Sequence, residues 1–146
     1  MLASRDGYEI DDDPARLNLE VVYRFLSEES YWAKGRSRET VERAVAASLN
    51  FGLYQGTAQV GFTRVVTDQA TFAWVCDVFV LPEHRGRRLG HWLIETMLAH
   101  PGLQGLRRLL LATADAHGVY ADAGFAPLRE PWKWMERGTA LNPGNP

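Results

Sequence analysis

Cysteine is almost absent from this chain of 146 residues, which contains only Cys76. A single thiol excludes an internal disulfide, and without partners it offers no cysteine framework for zinc. The four histidines do not compensate, because none shows metal-ligand spacing with a second histidine or with the cysteine. We therefore expect a cytoplasmic protein that holds no metal.

Apolar runs long enough for a membrane are also lacking. No stretch approaches the roughly 20 apolar residues that a spanning helix requires, and residues 1–13 lack the charged-then-apolar pattern of a secretion signal. The formal net charge is only −2, whereas binding a nucleic-acid backbone calls for a broad basic surface. We expect neither a membrane nor a nucleic acid among the partners.

The rest of the composition is that of an ordinary globular protein, with 46% hydrophobic and 23% charged residues. The length predicts a single domain over residues 1–146, with its core within residues 8–136. Residues 138–146 are rich in glycine, asparagine and proline, so we expect a flexible tail there.

Hydrophobic periodicity predicts a chain in which strands and helices are interspersed. The predicted strands are residues 8–10, 51–54, 58–66, 71–80, 108–113, 125–129 and 132–136. The predicted helices are residues 19–27, 38–48, 87–100 and 116–123, the second capped by Ser37. Short turns join the three strands between residues 51 and 80, which predicts that these strands are antiparallel.

Residues Val78–Gly90 carry the most informative local pattern. An apolar strand runs into Pro82, a short basic turn with a glycine follows, and apolar residues then recur at helical spacing. The free N–H groups and the dipole at the start of such a helix attract phosphate. Arg85, Arg87 and Arg88 add charge and bidentate donors, so the pattern predicts a phosphate-binding turn.

This turn resembles the pyrophosphate loop of the GNAT superfamily of N-acetyltransferases, which reads Gln/Arg-x-x-Gly-x-Gly/Ala after a strand. Arg85 matches the first position and Gly90 the last, and Gly86 follows Arg85 as is common in that family. Arg88 stands at the middle glycine, which removes the freedom for positive φ. A second segment, His117–Phe125, resembles the late part of the family, where a tyrosine on a short helix precedes Gly-Phe.

The resemblance implies an α/β (α+β) fold with a mixed, mostly antiparallel sheet of about six or seven strands and about four helices. It also implies that the fourth and fifth predicted strands, 71–80 and 108–113, splay apart, so that the fourth can pair with pantetheine. The cofactor-binding residues it implies are Val78, Phe79, Val80, Arg85, Gly86, Arg87, Arg88, Leu89, Gly90 and Thr113. Thr113 stands where many members carry asparagine, and a hydroxyl replaces that contact only in part.

The implied activity is acetyl-CoA-dependent transfer of an acetyl group to a primary amine of a small molecule or peptide, by direct attack of the amine. The N–H of Val78 or Phe79 would hold the developing oxyanion, and Tyr120 would protonate the leaving thiolate, which suits a pKa near ~10. The alternative for Tyr120 is a buried tyrosine bonded to the backbone. The competing class is a non-catalytic acyl-CoA binding or sensing module, which Arg88 and Thr113 favour and Tyr120 opposes.

Asp77 is the only charge between residues 71 and 81, and such a carboxylate is costly unless it is paired or lies at a solvated cleft. It is a candidate to bind a cationic amine or to take its proton through water. Pairing with a helix N-terminus is equally open. Strict alternation places Asp77 on the side of Val75 and Phe79, and a bulge at Val78 would reverse this.

Acceptor-binding residues are predicted in the break between the first two helices. Tyr31, Trp32 and Arg36 lie there, where the resembling family keeps a variable acceptor loop. Trp32 as part of the core is an alternative. We expect Trp74, Phe79 and Trp134 to line the same cleft.

The acidic residues Asp68 and Asp77 favour a cationic small molecule or a peptide amine as the acceptor. A cysteine acyl-enzyme is disfavoured, because Cys76 has no evident activating neighbour. Large aromatic residues near the C-terminus, Trp132 and Trp134, predict a possible homodimer.

Overall fold

One mixed sheet forms the centre of the molecule, for which a computed structural model describes residues 1–138. Its strands follow chain order, and each neighbouring pair is antiparallel except the last, which is parallel. In these residues the six strands are β1 (Ala3–Arg5), β2 (Tyr8–Asp11), β3 (Leu49–Gln55), β4 (Ala58–Thr67), β5 (Phe72–Val80) and β6 (Arg108–Leu110). The α-helices are α1 (Leu19–Arg24), α2 (Arg38–Ala46), α3 (Leu89–Leu98) and α4 (His117–Asp122). The predicted class and the mostly antiparallel sheet are confirmed.

The first hairpin extends the sheet by a strand that was not predicted. β1 pairs with β2, and the two are joined by Asp6 and Gly7 with φ of 51° and 83°. Asp-Gly with positive φ at both positions is the favoured two-residue hairpin turn. The turn signal was therefore present in the sequence, next to the correctly predicted strand at Tyr8.

Helices cover both faces of the sheet and give it two separate cores. On one face α3 packs against β2 to β5 through its buried residues, Leu89, Leu93, Ile94 and Met97. On the other face α1, α2 and the chain between them pack on Phe62 and Phe79, through Val22, Phe25, Leu26, Ala33, Val41 and Val45. Burial of these apolar side chains on both faces holds the sheet between two helical layers.

The helical chain after α1 runs further than predicted. Instead of stopping before Glu28, it continues as a wider π-helical turn over Phe25–Glu29. The Ser30 N–H donates to the Phe25 carbonyl at 2.9 Å, and the Ser30 hydroxyl donates to the Leu26 carbonyl at 2.6 Å. These bonds end the helix and direct the following break toward the sheet. The predicted cap of α2 is confirmed, because the Ser37 side chain accepts the N–H of Thr40.

The last two strands separate soon after they pair. β5 and β6 are matched only from Phe72 opposite Arg108 to Trp74 opposite Leu110. Beyond Trp74, β5 continues to Val80 without a strand on that side among the described residues. This confirms the predicted splay, and it shows that the fifth predicted strand ends at Leu110 rather than at Thr113.

A bulge in β5 lies at the point where the strands have parted. Phe79 pairs with Phe62 but Cys76 pairs with Arg64, so two residues of β5, Asp77 and Val78, face one residue of β4. Asp77 has a φ of 54°, the left-handed conformation that an extra residue in a strand often adopts. The bulge that would reverse the alternation of side chains is therefore present.

The C-terminal segment contradicts the two strands predicted at 125–129 and 132–136. The described residues after α4 form no strand, and the turn Pro131–Lys133 is a 3-10 helix. Pro127 and Pro131 lack backbone donors, and β6 offers only three residues as a template. The tail predicted over 138–146 lies outside the described residues, apart from Gly138. Within residues 1–138 no helix is both long and apolar enough to cross a membrane.

Candidate active site

A cleft of about 610 Å³ opens where β5 and β6 part. It brings together residues from five separate segments of the chain. Of the predicted site residues, its walls contain Tyr31, Trp32, Trp74, Asp77, Val78, Thr113 and Tyr120. Tyr31, Trp32, Trp74, Asp77 and Tyr120 thus line one cleft, although they come from segments that are far apart in the sequence.

The unpaired edge of β5 presents backbone groups along this opening. The Leu81 N–H donates to the Val60 carbonyl of β4 at 2.8 Å, which fixes the direction of the peptide groups before it. Successive groups in a strand point to opposite sides, so Phe79 points to β4 while Val78 and Val80 point to the open edge. Of the two N–H groups predicted to hold an oxyanion, the geometry therefore favours that of Val78.

The phosphate-binding turn lies at the far end of the same edge. The Arg85 Nε–H donates to the Val80 carbonyl at 2.9 Å and so ties the turn to the strand. Arg85, Arg87 and Arg88 are all exposed, and no side chain of the described residues 1–138 caps the N-terminus of α3. The first N–H groups of this ten-residue helix are therefore free of a side-chain cap at the point where three positive charges gather.

Arg88 adopts the conformation that a glycine would have taken. Its φ and ψ are 58° and 26°, in the left-handed region, and it is the residue immediately before α3. An L-residue with a side chain pays roughly 1 kcal/mol or more for that conformation. The turn therefore keeps its shape despite the substitution, and the side chain adds a charge at the helix start.

The donor set at the turn fits a diphosphate. A cavity of about 350 Å³ is bounded there by Val80, His84, Arg85, Gly86, Arg88, Leu89, Gly90 and His91. A Cβ built on Gly86 or Gly90 would meet no atom within 4 Å, so the space beside the backbone is open to a ligand. Backbone N–H groups, a helix dipole and guanidinium groups are the donors that phosphate oxygens accept.

Tyr120 reaches the cleft from α4. It packs edge-on to Phe125 with ring centroids 6.0 Å apart, and within residues 1–138 its hydroxyl makes no hydrogen bond. The alternative of a hydroxyl bonded to the backbone does not fit this geometry. Burial raises the pKa of Tyr120 to about 12, with smaller contributions from Tyr31 and Asp115. The hydroxyl is therefore a proton donor, not a base, near neutral pH.

Asp77 is the centre of a buried charge cluster. Its Oδ1 accepts from Trp32 Nε1 at 2.9 Å and from Arg36 Nη1 at 3.3 Å. Its Oδ2 accepts from Arg36 Nη1 at 3.1 Å and from Arg64 Nε at 2.7 Å. The partners are thus two arginines and an indole, not a helix N-terminus. Because a carboxylate has about four acceptor positions, Asp77 has no position left for a cationic amine.

The aromatic residues of the acceptor loop have distinct positions. Trp32 lies edge-on to Tyr31 with centroids 5.2 Å apart and also touches Phe25 of the core. It is therefore both a core contact and a wall of the cleft. The Tyr31 hydroxyl accepts the Ala114 N–H at 3.2 Å and lies 3.4 Å from Asp115 Oδ1, which joins the loop to the chain after β6.

Two further predicted residues contribute in limited ways. The Thr113 hydroxyl accepts the Ala116 N–H at 3.1 Å, so it stabilises the start of α4 while facing the cleft. Cys76 also borders the cleft, but burial raises the pKa of its thiol to about 11. A thiol with such a pKa is a poor nucleophile, which agrees with the expectation against an acyl-enzyme.

Three residues suggested for the cleft lie elsewhere. Phe79 is buried and stacked on Phe25 at 4.1 Å between centroids. Trp134 lies under the Arg108 guanidinium at 4.9 Å, beside a different groove. Asp68 closes the turn between β4 and β5 by accepting from Thr71, which lowers its pKa well below the ordinary value.

Arg64 and Asp115 are charged residues of the cleft that the sequence analysis did not identify. Arg64 had a usable signal, because it is the only charge in β4 and stands opposite the strand that carries Asp77. A lone positive charge and a lone negative charge on neighbouring apolar strands indicate a buried pair. Asp115 lies in an irregular segment and gave no such signal.

Known proteins resemble the chain over most of its length. Residues 19–125 match the family model described as acetyltransferase (GNAT). A protein of Gibberella zeae that is named as an acetyltransferase is 33% identical over 150 residues, covering 87% of this chain and 84% of its own.

Two solved structures extend the likeness to the fold. A GNAT-family protein of Xanthomonas campestris pv. campestris has a TM-score of 0.89 at 46% identity, with 92% of this chain and 95% of that one covered. A GNAT-family acetyltransferase of Streptococcus pneumoniae has a TM-score of 0.64 at 25% identity, with 90% and 98% covered. The range that the family model matches, residues 19–125, includes the turn before α3, the bulged β5 and α4.

Proposed function

Because the chain belongs to the acetyltransferase (GNAT) family, we propose that it transfers an acetyl group from acetyl-CoA to a primary amine of a small molecule or peptide. The observation that carries the proposal is the convergence of three features on one edge. Within residues 1–138, these are the start of α3 without a side-chain cap, the unpaired backbone edge of β5 and the Tyr120 hydroxyl without a hydrogen bond.

Acetyl-CoA would lie along this edge. Its diphosphate would bind the N–H groups of Leu89 and Gly90 and the guanidinium groups of the turn. Its pantetheine amides would pair with backbone groups of β5, as an added strand does. The thioester supplies an activated acetyl carbon to the cleft. Thr113 would contribute a hydroxyl near that end.

The residues of the cleft would then act on the transfer. The acceptor nitrogen forms the new C–N bond while the C–S bond breaks. The Val78 N–H stabilises the negative charge that develops on the carbonyl oxygen. Tyr120 gives its proton to the departing thiolate, and the proton lost by the nitrogen returns to Tyr120 through water, so protons and electrons balance. Asp77 acts as a positioning residue for Arg36 and Trp32.

The competing interpretation is a non-catalytic acyl-CoA binding or sensing module. Arg88 had favoured it, because a side chain was expected to disturb the turn. Arg88 has a positive φ of 58°, so the turn retains the conformation that glycine would give. The substitution is therefore no longer an argument against binding and turnover. Thr113 still favours the sensing module, because its hydroxyl is partly committed to the start of α4.

The test combines binding with turnover. The purified protein would be titrated with acetyl-CoA, CoA, ATP and NAD by calorimetry, and thiol release from acetyl-CoA would be measured over a panel of primary amines. Micromolar binding of acetyl-CoA with amine-dependent release is expected. Binding without release from any amine would support the sensing module, and no binding of acetyl-CoA would overturn the proposal.

Two other predictions accompany this function. A cytoplasmic location is consistent with the use of acetyl-CoA. A homodimer would use Trp132, which is 75% exposed, or Trp134. Sedimentation would show a smaller species for Trp132→Ala or Trp134→Ala than for the parent chain, and an unchanged size in both variants would contradict a dimer through these residues.

A further inference from the structure

The charge cluster in the cleft has more positive than negative charge. Arg36 and Arg64 share the single carboxylate of Asp77, and the exposed fractions of the three side chains are 23%, 13% and 2%. The Nη1 of Arg64 donates to a neutral partner, the Ser48 hydroxyl, at 3.0 Å. Among residues 1–138, one guanidinium charge of this cluster therefore has no counter-ion within the cluster.

Arg36 is the arginine from which this surplus can reach a ligand. Among residues 1–138 its side chain donates only through Nη1, and only to Asp77, so the Nε and Nη2 hydrogens have no protein acceptor there. Asp77 fixes one side of the guanidinium and leaves the other donors directed away from the bond. A planar group with pairs of free donors is suited to bind a carboxylate in a bidentate manner.

A second carboxylate lines the same cleft. Asp115 lies in the segment between β6 and α4, is exposed, and its Oδ1 accepts from the Tyr31 hydroxyl at 3.4 Å. Asp115 and Tyr120 reach the cleft from the chain after β6, whereas Arg36 reaches it from the break before α2. A ligand held between these two segments would meet Asp115 and Tyr120 from one segment and Arg36 from the other.

We propose that the acceptor is a small aminocarboxylate, whose carboxylate binds Arg36 and whose amine faces Asp115 and Tyr120. This inference rests on the proposed acetyl transfer and names its substrate class. It replaces the expectation of a purely cationic acceptor, because the acceptor positions of Asp77 are filled by Trp32, Arg36 and Arg64.

The size and lining of the cleft narrow the class further. A volume of about 610 Å³ must hold the acetyl end of the donor as well as the acceptor. Trp32, Trp74 and Tyr31 supply flat apolar walls beside the charge cluster. An amino acid with an apolar or aromatic side chain would bury that side chain on these walls while its charged groups meet Arg36 and Asp115.

Matched acceptors test the carboxylate directly. Thiol release would be compared for L-phenylalanine, L-phenylalaninamide and 2-phenylethylamine, and for β-alanine against O-phosphoethanolamine. The acid should exceed the amide by about 10- to 100-fold in kcat/KM, as expected for one charge-assisted contact. The amine of L-phenylalaninamide is less basic than that of L-phenylalanine, so a larger fraction of it is unprotonated near neutral pH. A preference for the acid would therefore not come from the availability of the unprotonated amine. Equal or faster reaction of the amide or of 2-phenylethylamine, which lacks the carboxylate, would overturn the inference. A preference for O-phosphoethanolamine over β-alanine would overturn its choice of a carboxylate.

A pair of arginine variants locates the recognition. Arg36→Gln should remove most of the preference for the acid, measured as the ratio of the kcat/KM values for L-phenylalanine and 2-phenylethylamine within the variant, so that a general loss of activity cancels from the ratio. Arg36→Lys should restore part of it, because the charge returns without the planar donors. Arg38→Gln is the matched control: it is two residues away and pairs with the exposed Glu20. A loss of preference in Arg38→Gln, or none in Arg36→Gln, would contradict the assignment.

Binding of the product gives a readout that does not need turnover. In the presence of CoA, N-acetyl-L-phenylalanine should bind at least tenfold more tightly than N-acetyl-2-phenylethylamine, and Arg36→Gln should reduce that ratio toward one. If amines are acetylated but no carboxylate preference appears, only the substrate class fails. If no amine is acetylated and neither product binds, the proposed function fails together with this inference.

Discussion

The phosphate-binding turn and the acceptor cleft are built in opposite ways. The turn is one continuous stretch, Arg85 to Gly90, in which backbone N–H groups and exposed arginines do the binding. The cleft is assembled from the break before α2, both neighbouring strands β4 and β5, and the segment around α4. Its central contacts are made between side chains far apart in the sequence, such as Trp32 with Asp77.

This difference predicts how each region responds to substitution. A backbone site keeps its shape when a side chain changes, as the conformation of Arg88 illustrates. A site held by buried ion pairs depends on each member, because removal of one partner leaves the others buried without compensation. Changes in the cleft should therefore affect folding and chemistry strongly, and changes in the turn should affect mainly the binding of acetyl-CoA.

The largest effect is expected from Asp77→Asn. Asparagine keeps the size and tolerates the left-handed conformation, but it leaves two arginine side chains facing each other with no carboxylate between them. The free energy of unfolding should fall by about 3 kcal/mol, as measured by urea denaturation. Asp115→Asn, at an exposed position of the same cleft, should change it by less than about 0.5 kcal/mol. If the free energy of unfolding changed by a similarly small amount in both variants, the charge cluster would not contribute to stability.

Tyr120→Phe should lower turnover by roughly 100-fold without changing the affinity for acetyl-CoA, because only the proton donor is lost. The raised pKa, about 12, means that the hydroxyl keeps its proton through neutral and mildly alkaline pH. The parent rate should therefore show no loss that belongs to Tyr120 as pH rises from 7 to 10. An unchanged rate in the variant would exclude Tyr120 from the mechanism.

Arg85→Ala should weaken acetyl-CoA binding by about tenfold, because a charged donor to the diphosphate is removed. Calorimetry with a pantetheine fragment that lacks phosphate should show little change. Arg107→Ala removes an equal charge beside a different groove and serves as the control. If the fragment weakened as much as the whole donor, the bond from Arg85 to the Val80 carbonyl, and not phosphate binding, would be the main contribution.

The smallest effect separates conformation from charge within the turn. Arg88→Gly and Arg88→Ala remove the same charge, but only glycine adopts a φ of 58° without cost. The glycine variant should be more stable than the alanine variant by about 1 kcal/mol in urea denaturation. Both should bind acetyl-CoA with similar affinity, and a large difference in affinity would mean that the turn itself had changed.

The same division explains what the sequence could predict. The turn, the Ser37 cap and the strands around the two short turns have local signals, and the structure agrees with them. The segment after α4 has alternating apolar residues, yet Pro127 and Pro131 remove donors and β6 is too short to template it. β6 ends at Leu110 because β5 separates from it after Trp74. The sequence of β6 itself contains no signal for that end.

The cleft was predictable as a set of residues but not as a set of contacts. The sequence predicted five residues near the acceptor, and all of them line the cleft: Tyr31, Trp32, Trp74, Asp77 and Tyr120. The pairing of Asp77 with Arg36 and Arg64 required the bulge and the break before α2 to bring three segments together. A lone charge in a strand indicates that a partner exists, but not which one.

The half-paired strand β5 also has a consequence for hydrogen exchange. The amide hydrogens of Val78 and Val80 point to the open edge, whereas that of Phe79 points to β4, so protection from exchange should alternate from one residue to the next. A ligand that pairs with the edge would slow exchange at the first two and leave the third unchanged. Binding of a ligand would then be detected as slower exchange at every second amide of β5.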